Sequence, residues 1–132
     1  MKTPKLLLCS AIAVLMTLAL AAGTPATSST RSSGVSCPKK ALNLEANSIS
    51  PAATVALAKE KKSTKPQVVS VALASVDQDR GPMAKSQCGG TAWKKTVVVY
   101  IHLRKYHSAS LSSRVDFVSR FQNGYRVWEI VH

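Results

Sequence analysis

Apolar residues recur at every second position in the second half of the chain, and this pattern predicts β-strands. The clearest stretch is residues 96–104, in which the alternating apolar positions are Val97, Val99, Ile101 and Leu103. Because successive side chains of a strand point to opposite faces, these four residues share one face, which we expect to be the core face. Residues 67–76 predict an earlier strand that is apolar on both faces.

The last stretch of the sequence predicts a β-hairpin. Asn123-Gly124 is a dipeptide that two-residue type I′ turns prefer. Such a turn places Arg120 opposite Val127 and diagonal to Glu129, an attractive cross-strand pair. It also gathers the large apolar side chains on one packing face, made of Val115, Phe117, Phe121, Trp128 and Ile130. A slip by one residue would turn the aromatic side chains to solvent, which favours this register.

Capping signals predict two helices. Ser50-Pro51 is typical of a helix start, with Ser as the N-cap and Pro at the first helical position. Good helix formers follow as far as Lys62. A second, short helix is predicted over residues 82–88, with Gly89 as its stop.

The predicted elements therefore follow the order helix, strand, short helix, strand, strand, strand. Residues 105–113 predict a polar loop between the second and third strands. The economical arrangement is an N-terminal helix packed on an antiparallel sheet of about four strands. We predict an α+β domain with a short helix between the first and second strands and a C-terminal hairpin.

The first residues have the three parts of a cleaved secretory signal peptide. Lys2 and Lys5 supply the positive charge, an apolar run follows, and a small-residue cleavage site ends at Ala21. A retained membrane anchor is the alternative, but the small residues and the Gly-Thr-Pro breaker favour cleavage, which leaves no transmembrane span. The predicted division is a signal peptide at residues 1–21, a disordered linker at residues 22–36 and a single domain at residues 37–132.

The chain is strongly basic, with 18 Lys and Arg against 6 Asp and Glu and a formal net charge of +12. Removal of residues 1–21 takes away Lys2 and Lys5 and no acidic residue, so the net charge becomes +10. A basic exported protein is attracted to anionic envelope polymers, anionic lipid or nucleic acid. The charges form no long run in the sequence, so solubility alone is the alternative reading, and export disfavours nucleic acid.

Cysteine usage agrees with export. Cys9 lies in the predicted signal peptide, which leaves Cys37 and Cys88 as an even pair in an oxidising compartment. We predict a disulfide between them. Two free thiols, or a zinc site completed by His, are the alternatives, but the sequence has no C-x-x-C or H-x-x-x-H spacing. No metal or other cofactor is predicted.

Motifs that would carry catalysis are weak. A triad would join a histidine to Asp116 and a loop serine, but no G-x-S-x-G motif fixes that geometry. Asp77 and Asp79 precede a turn and are expected to start the following helix rather than to form a catalytic pair. No catalytic residue is predicted. The sequence leaves enzymatic activity open and favours its absence.

Several stretches from Ser86 onward resemble small exported actinobacterial proteins of uncharacterised function. They are Ser86-Gln87-Cys88-Gly89, Thr96-Val97-Val98-Val99-Tyr100, Ser108-Ala109-Ser110-Leu111-Ser112, Phe117-Val118-Ser119-Arg120-Phe121 and Gly124-Tyr125-Arg126-Val127-Trp128-Glu129. The resemblance covers roughly the last third of the chain. It implies a bacterial, extracytoplasmic protein and brings no catalytic residues.

The predicted function is non-enzymatic binding of an anionic cell-envelope component or a protein partner by a secreted domain. A small extracellular hydrolase or an inhibitor-type domain is the alternative. Binding residues often lie on loops that a rigid sheet holds. The predicted binding surface is therefore the polar loop with the outward residues of the strand before it and one hairpin residue: Tyr100, His102, Arg104, His107, Ser108, Ser110 and Arg120.

Overall fold

The computed structural model of the protein describes residues 35–132, and every structural statement below concerns that part of the chain. The predicted signal peptide and the predicted linker up to residue 34 lie outside it. The elements, in chain order, are α1 (Ile49–Lys59), a single 3₁₀ turn (Lys62–Thr64), β1 (Pro66–Leu73), α2 (Gly81–Lys94), β2 (Thr96–Leu103), α3 (Ala109–Ser112), β3 (Ser113–Phe121) and β4 (Gly124–Val131). Helix, sheet and C-terminal hairpin follow in the predicted order, and the α+β class is confirmed.

The four strands form one antiparallel sheet in the order β1-β2-β3-β4, so each strand pairs with its neighbours in sequence. Val97 pairs with Leu73 on one side and with Val118 on the other. The pairing also defines which strand ends lie together at each end of the sheet. The start of β1 and the end of β2 meet at one end, where Pro66 pairs with Leu103.

One face of the sheet packs against α1. Ala52 and Ala56 of the helix are fully buried against the side chains of Val97, Val99, Ile101, Leu103 and Val118. The predicted core face of β2 is therefore confirmed. Small residues on α1 let the helix approach the branched side chains of the sheet closely, and burying each of those side chains stabilises the fold by roughly 2 kcal/mol.

The opposite face of the sheet has a core of its own, which contacts α2. Phe117 is fully buried there with Val98 and with Ala84 of α2, and Trp93 and Trp128 pack around them. The ring centroids of Phe117 and Trp128 lie 5.4 Å apart. Val98 belongs to the β2 residues that were not expected in the core. Because it is buried on this second face, the middle of β2 is buried on both faces.

Element bounds differ from the predicted ones for local reasons. α1 begins at Ile49 after Ser48, whose hydroxyl accepts hydrogen bonds from the Glu45 N–H and the Tyr125 hydroxyl. It ends at Lys59 because Glu60 is extended, with ψ 147°. A β-bulge lies between Val68 and Ser70 in β1 and turns Val69 to solvent, where it is 68% exposed.

Gly89 breaks α2 as predicted, but it does not end the helix. Its φ of 83° and ψ of 170° are not helical, and a second helical segment continues to Lys94. The disulfide between Cys37 and Cys88 is confirmed, with a Cα–Cα distance of 5.4 Å and a sequence separation of 51 residues. It ties the start of the described chain to α2 directly before the break.

The predicted register of the hairpin is wrong by two residues. Arg120 pairs with Tyr125, and Val118 pairs with Val127. A type I′ turn needs positive φ at both central residues, but Asn123 does not have it, and only Gly124, with φ 103°, does. An irregularity opposite Phe117 and Val118 then admits Trp128 as an extra residue in β4.

These differences change what several side chains do. Ile130, which was expected on the packing face with Phe117, pairs with Asp116 instead because the extra residue shifts the alternation. Arg120 does not meet Glu129 and forms an ion pair with Glu45 at 2.6 Å. The predicted polar loop of residues 105–113 contains the single helical turn α3.

Candidate functional site

A strongly basic part of the described surface lies where β1 begins and β2 ends. We call it the basic end and define it by six exposed cationic residues, Lys59, Lys61, Lys62, Lys65, Arg104 and Lys105. Lys59 is the last residue of α1, three residues come from the connection between α1 and β1, and two come from the turn after β2. Two stretches separated by about forty residues in the sequence therefore form one surface.

Backbone hydrogen bonds hold these two turns together. The Lys105 N–H donates to the Thr64 carbonyl at 3.1 Å, and the Arg104 N–H donates to the Lys65 carbonyl at 3.4 Å. Thr64 is buried beneath them, and its hydroxyl donates to the Lys61 carbonyl at 2.7 Å. These hydrogen bonds hold the backbones of the two turns side by side.

These two turns carry no exposed carboxylate that would offset their positive charge. Glu60 is the acidic residue between Lys59 and Lys61, but its side chain is only 3% exposed. It points inward and forms an ion pair with Arg114 of β3, in which Glu60 Oε1 lies 2.8 Å from Arg114 Nε. The backbone of Glu60 is extended directly after α1, and the neighbouring Lys59 and Lys61 are exposed to solvent.

Arg114 also contacts a second buried carboxylate. Its Nε lies 3.2 Å from Oδ1 of Asp116, which is fully buried. Burial raises the pKa of Asp116 to about 6, although the charge of Arg114 and its hydrogen bond act in the opposite direction. Glu60 adds to the increase because it brings like charge close. This buried cluster connects the end of α1 to β3 beneath the basic end.

The structure brings part of the predicted binding surface together at this end of the sheet. Arg104 belongs to the basic end, and His107, Ser108 and Ser110 are exposed in the segment that follows it. His102 is half-buried near the same end, where it pairs with Gln67 and Ser113. A binding role for these residues stays a prediction.

Two of the predicted binding residues are placed elsewhere. The hydroxyl of Tyr100 donates to both carboxylate oxygens of Asp77, at 3.1 Å and 3.0 Å, on the face that carries α2. Burial and this negative neighbour raise the pKa of Tyr100. Arg120 lies at the other end of the sheet, paired with Glu45. Both side chains therefore already have partners within the fold.

The lysines of the α1–β1 connection were not predicted as part of a site. In the sequence, Lys59, Lys61 and Lys62 are explained by the favourable interaction of cations with a helix C-terminus. Their meeting with Arg104 and Lys105 requires that Pro66 pairs with Leu103. The antiparallel alignment of the two predicted strands could have indicated this proximity, because it places the residue before β1 beside the residue after β2.

Asp77 has the structural role expected from the sequence, whereas the Asp79 carboxylate contacts the Tyr100 hydroxyl at 3.5 Å. Asp77 Oδ1 accepts hydrogen bonds from the N–H groups of Asp79, Arg80 and Gly81 at the start of α2. Burial raises the pKa of Asp77, but the hydrogen bonds from the backbone and from Tyr100 outweigh it, so the pKa lies below its usual value. A carboxylate held by this many donors is a helix cap rather than a general acid.

A cavity of about 620 Å³ lies beside this cap, between the loop after β1 and α2. Trp93 and Val76 line it, together with Asp77. The Lys85 ammonium lies 4.9 Å from the centroid of the Trp93 ring, and the Trp93 indole N–H donates to the Ala74 carbonyl at 2.7 Å. No histidine lines this cavity, and the Asp116 carboxylate accepts a hydrogen bond from Arg114.

Within residues 35–132, no group of three or more His, Cys, Asp or Glu side chains could hold a metal ion. In the same part of the chain, no helix combines the length and the apolar character needed to cross a bilayer. No protein-family model matches the sequence, and neither a curated protein nor a solved structure matches it.

Proposed function

We propose that this protein is a non-enzymatic bacterial domain, exported to the cell envelope, that binds an anionic envelope polymer through the basic end. The observation that carries the proposal is the meeting of six exposed cationic residues on two hydrogen-bonded turns, beside a glutamate that is turned inward. The signal-like sequence at residues 1–21 supports export. A disulfide between Cys37 and Cys88 suits an oxidising compartment.

The composition of the basic end indicates the kind of ligand. Five of its six cationic residues are lysines. An ammonium group acts as a point charge, whereas a guanidinium provides a planar fork for one carboxylate or phosphate. A cluster of point charges on exposed, flexible side chains suits a polymer with repeated anionic groups better than a single small anion. Each Lys or Arg near an anionic lipid surface contributes about 1 kcal/mol, and we expect the same scale for a polyanion.

Binding to an envelope fraction tests the proposal. The exported protein, with its disulfide formed, is mixed with the envelope fraction of an actinobacterium, and the bound share is measured by sedimentation at rising salt. Retention should fall steeply, because exposed charges are screened within about 8 Å at 0.15 M salt. The double substitution Lys61→Ala/Lys62→Ala should weaken binding on the order of 30-fold, since it removes two such contacts.

The chain contains a matched control. Lys39 and Lys40 are also adjacent and exposed, but their segment lies by the other end of the sheet, where the Leu42 N–H donates to the Arg120 carbonyl. Lys39→Ala/Lys40→Ala changes the net charge equally and should leave retention almost unchanged. Equal losses in the two variants would show that only net charge matters. Retention that does not respond to salt would contradict the proposal.

A further inference from the structure

Lys65 has an unusual backbone conformation at the centre of the basic end. Its φ is 51° and its ψ is 60°, and it is the one non-glycine residue with positive φ among residues 35–132. Side chains with a Cβ disfavour this left-handed region, which glycine enters without penalty and asparagine tolerates. Lysine is therefore not the residue that the local backbone would select.

The conformation itself is needed for the fold. The Lys65 N–H closes the 3₁₀ turn by donating to the Lys62 carbonyl at 3.1 Å. Directly afterwards the chain must reverse into β1 at Pro66, and the Lys65 carbonyl accepts from the Arg104 N–H. A left-handed residue satisfies both requirements, whatever its side chain is.

The Lys65 side chain contributes no ion pair and no hydrogen bond to the described part of the chain, and it is exposed. The strain at this position is therefore balanced by backbone hydrogen bonds and not by any side-chain contact within residues 35–132. Strained residues occur preferentially at functional sites, where the surrounding structure holds them in place. Here the surrounding structure is the pair of turns that carries the other cationic residues.

We infer that Lys65 is a binding residue for the anionic groups of the polymer, whether phosphate or carboxylate, held by a strained backbone at the junction of the two turns. This inference rests on the proposed function. The backbone bond to Arg104 puts Lys65 where the α1–β1 connection meets the turn after β2. A polyanion that contacts both turns has to pass this position.

The test exploits the fact that strain and binding predict opposite effects for one substitution. Lys65→Gly removes the strain, so the melting temperature should rise by roughly 3–6 °C. It also removes the ammonium, so affinity should fall roughly fivefold. Melting is followed by circular dichroism. Affinity is measured with inorganic polyphosphate and with poly-L-glutamate, one probe for each kind of anionic group, and with the envelope fraction.

Lys62→Gly is the matched control, because Lys62 lies in the 3₁₀ turn with negative φ. It should weaken binding to a similar extent but lower the melting temperature. The inference is wrong if Lys65→Gly leaves binding unchanged while Lys61→Ala/Lys62→Ala reduces it. The proposed function would survive that outcome. A melting temperature that falls in Lys65→Gly would equally overturn it. If neither variant changes binding, the proposed function itself fails.

Discussion

The buried ion cluster beneath the basic end gives a prediction whose size follows from the structure. Arg114 is the cation that both Glu60 and Asp116 contact, and the side chains of these two acids are 3% and 0% exposed. Arg114→Met retains an unbranched chain but removes the guanidinium. Two carboxylates are then buried without a compensating charge, which costs about 3–5 kcal/mol. For a domain with a free energy of unfolding of about 5–15 kcal/mol, this is a large share.

The assay is urea unfolding at pH 7.5, followed by far-UV circular dichroism. Arg126→Met is the matched control, because Arg126 is exposed on β4 and its guanidinium carbon lies 4.8 Å from the Phe121 ring centroid without a buried acid beside it. Loss of that contact should cost about 0.5–1 kcal/mol. If Arg114→Met costs no more than Arg126→Met, the two carboxylates do not depend on Arg114 and the reasoning is refuted.

The pH dependence provides a second measure of the same cluster. The pKa of Asp116 is raised from 3.8 to about 6 in the folded protein, chiefly by burial, so the folded state holds the proton more tightly than the unfolded state. The stability that Asp116 contributes is fully present below pH 3.8 and is lost as the pH rises through about 6. At pH 5 Asp116 is largely neutral in the folded protein. The penalty of Arg114→Met should therefore be smaller at pH 5 than at pH 7.5.

Two further predictions concern stability. Replacing Cys37 and Cys88 by Ala should lower the free energy of unfolding by about 4 kcal/mol, because the disulfide closes a loop with a separation of 51 residues; urea unfolding measures this, and a loss under 1 kcal/mol would contradict it. Gly81→Ala should destabilise the domain by roughly 1–3 kcal/mol, because a Cβ there clashes with the Ala74 carbonyl oxygen, which also accepts the Trp93 indole hydrogen bond. Gly90→Ala is its control, since a Cβ at Gly90 meets nothing within 4 Å, and similar melting temperatures for both variants would rule out the clash.

Much of the fold could be predicted from short-range signals in the sequence. The alternation in β2 identified Val97, Val99 and Ile101 as a core face, and the core facing α1 contains them. The even pair of cysteines predicted the disulfide, and Asp77 was expected to start a helix. Each of these inferences depends on neighbours in sequence, or on a pairing with few alternatives.

The register of the hairpin could not be predicted from such short-range signals. Asn123-Gly124 favours a type I′ turn, but the tertiary structure places Gly124 alone at positive φ and shifts the register by two residues. A shift by two keeps each side chain on its own face, so the hydrophobic pattern could not distinguish the two registers. The extra residue at Trp128 then places Ile130 on the opposite face of the sheet from the one predicted. The alternation of apolar and polar residues contained no signal for this change.

By itself, the sequence determined the class of fold, the disulfide and a strong positive charge without a long run of cations. Tertiary structure alone decided where that charge is concentrated. Antiparallel pairing of β1 with β2 joins Lys65 to Arg104, and the ion pair with Arg114 turns Glu60 inward. The physical reason is that an electrostatic surface depends on distances between residues far apart in sequence. Those distances exist only after the sheet has paired.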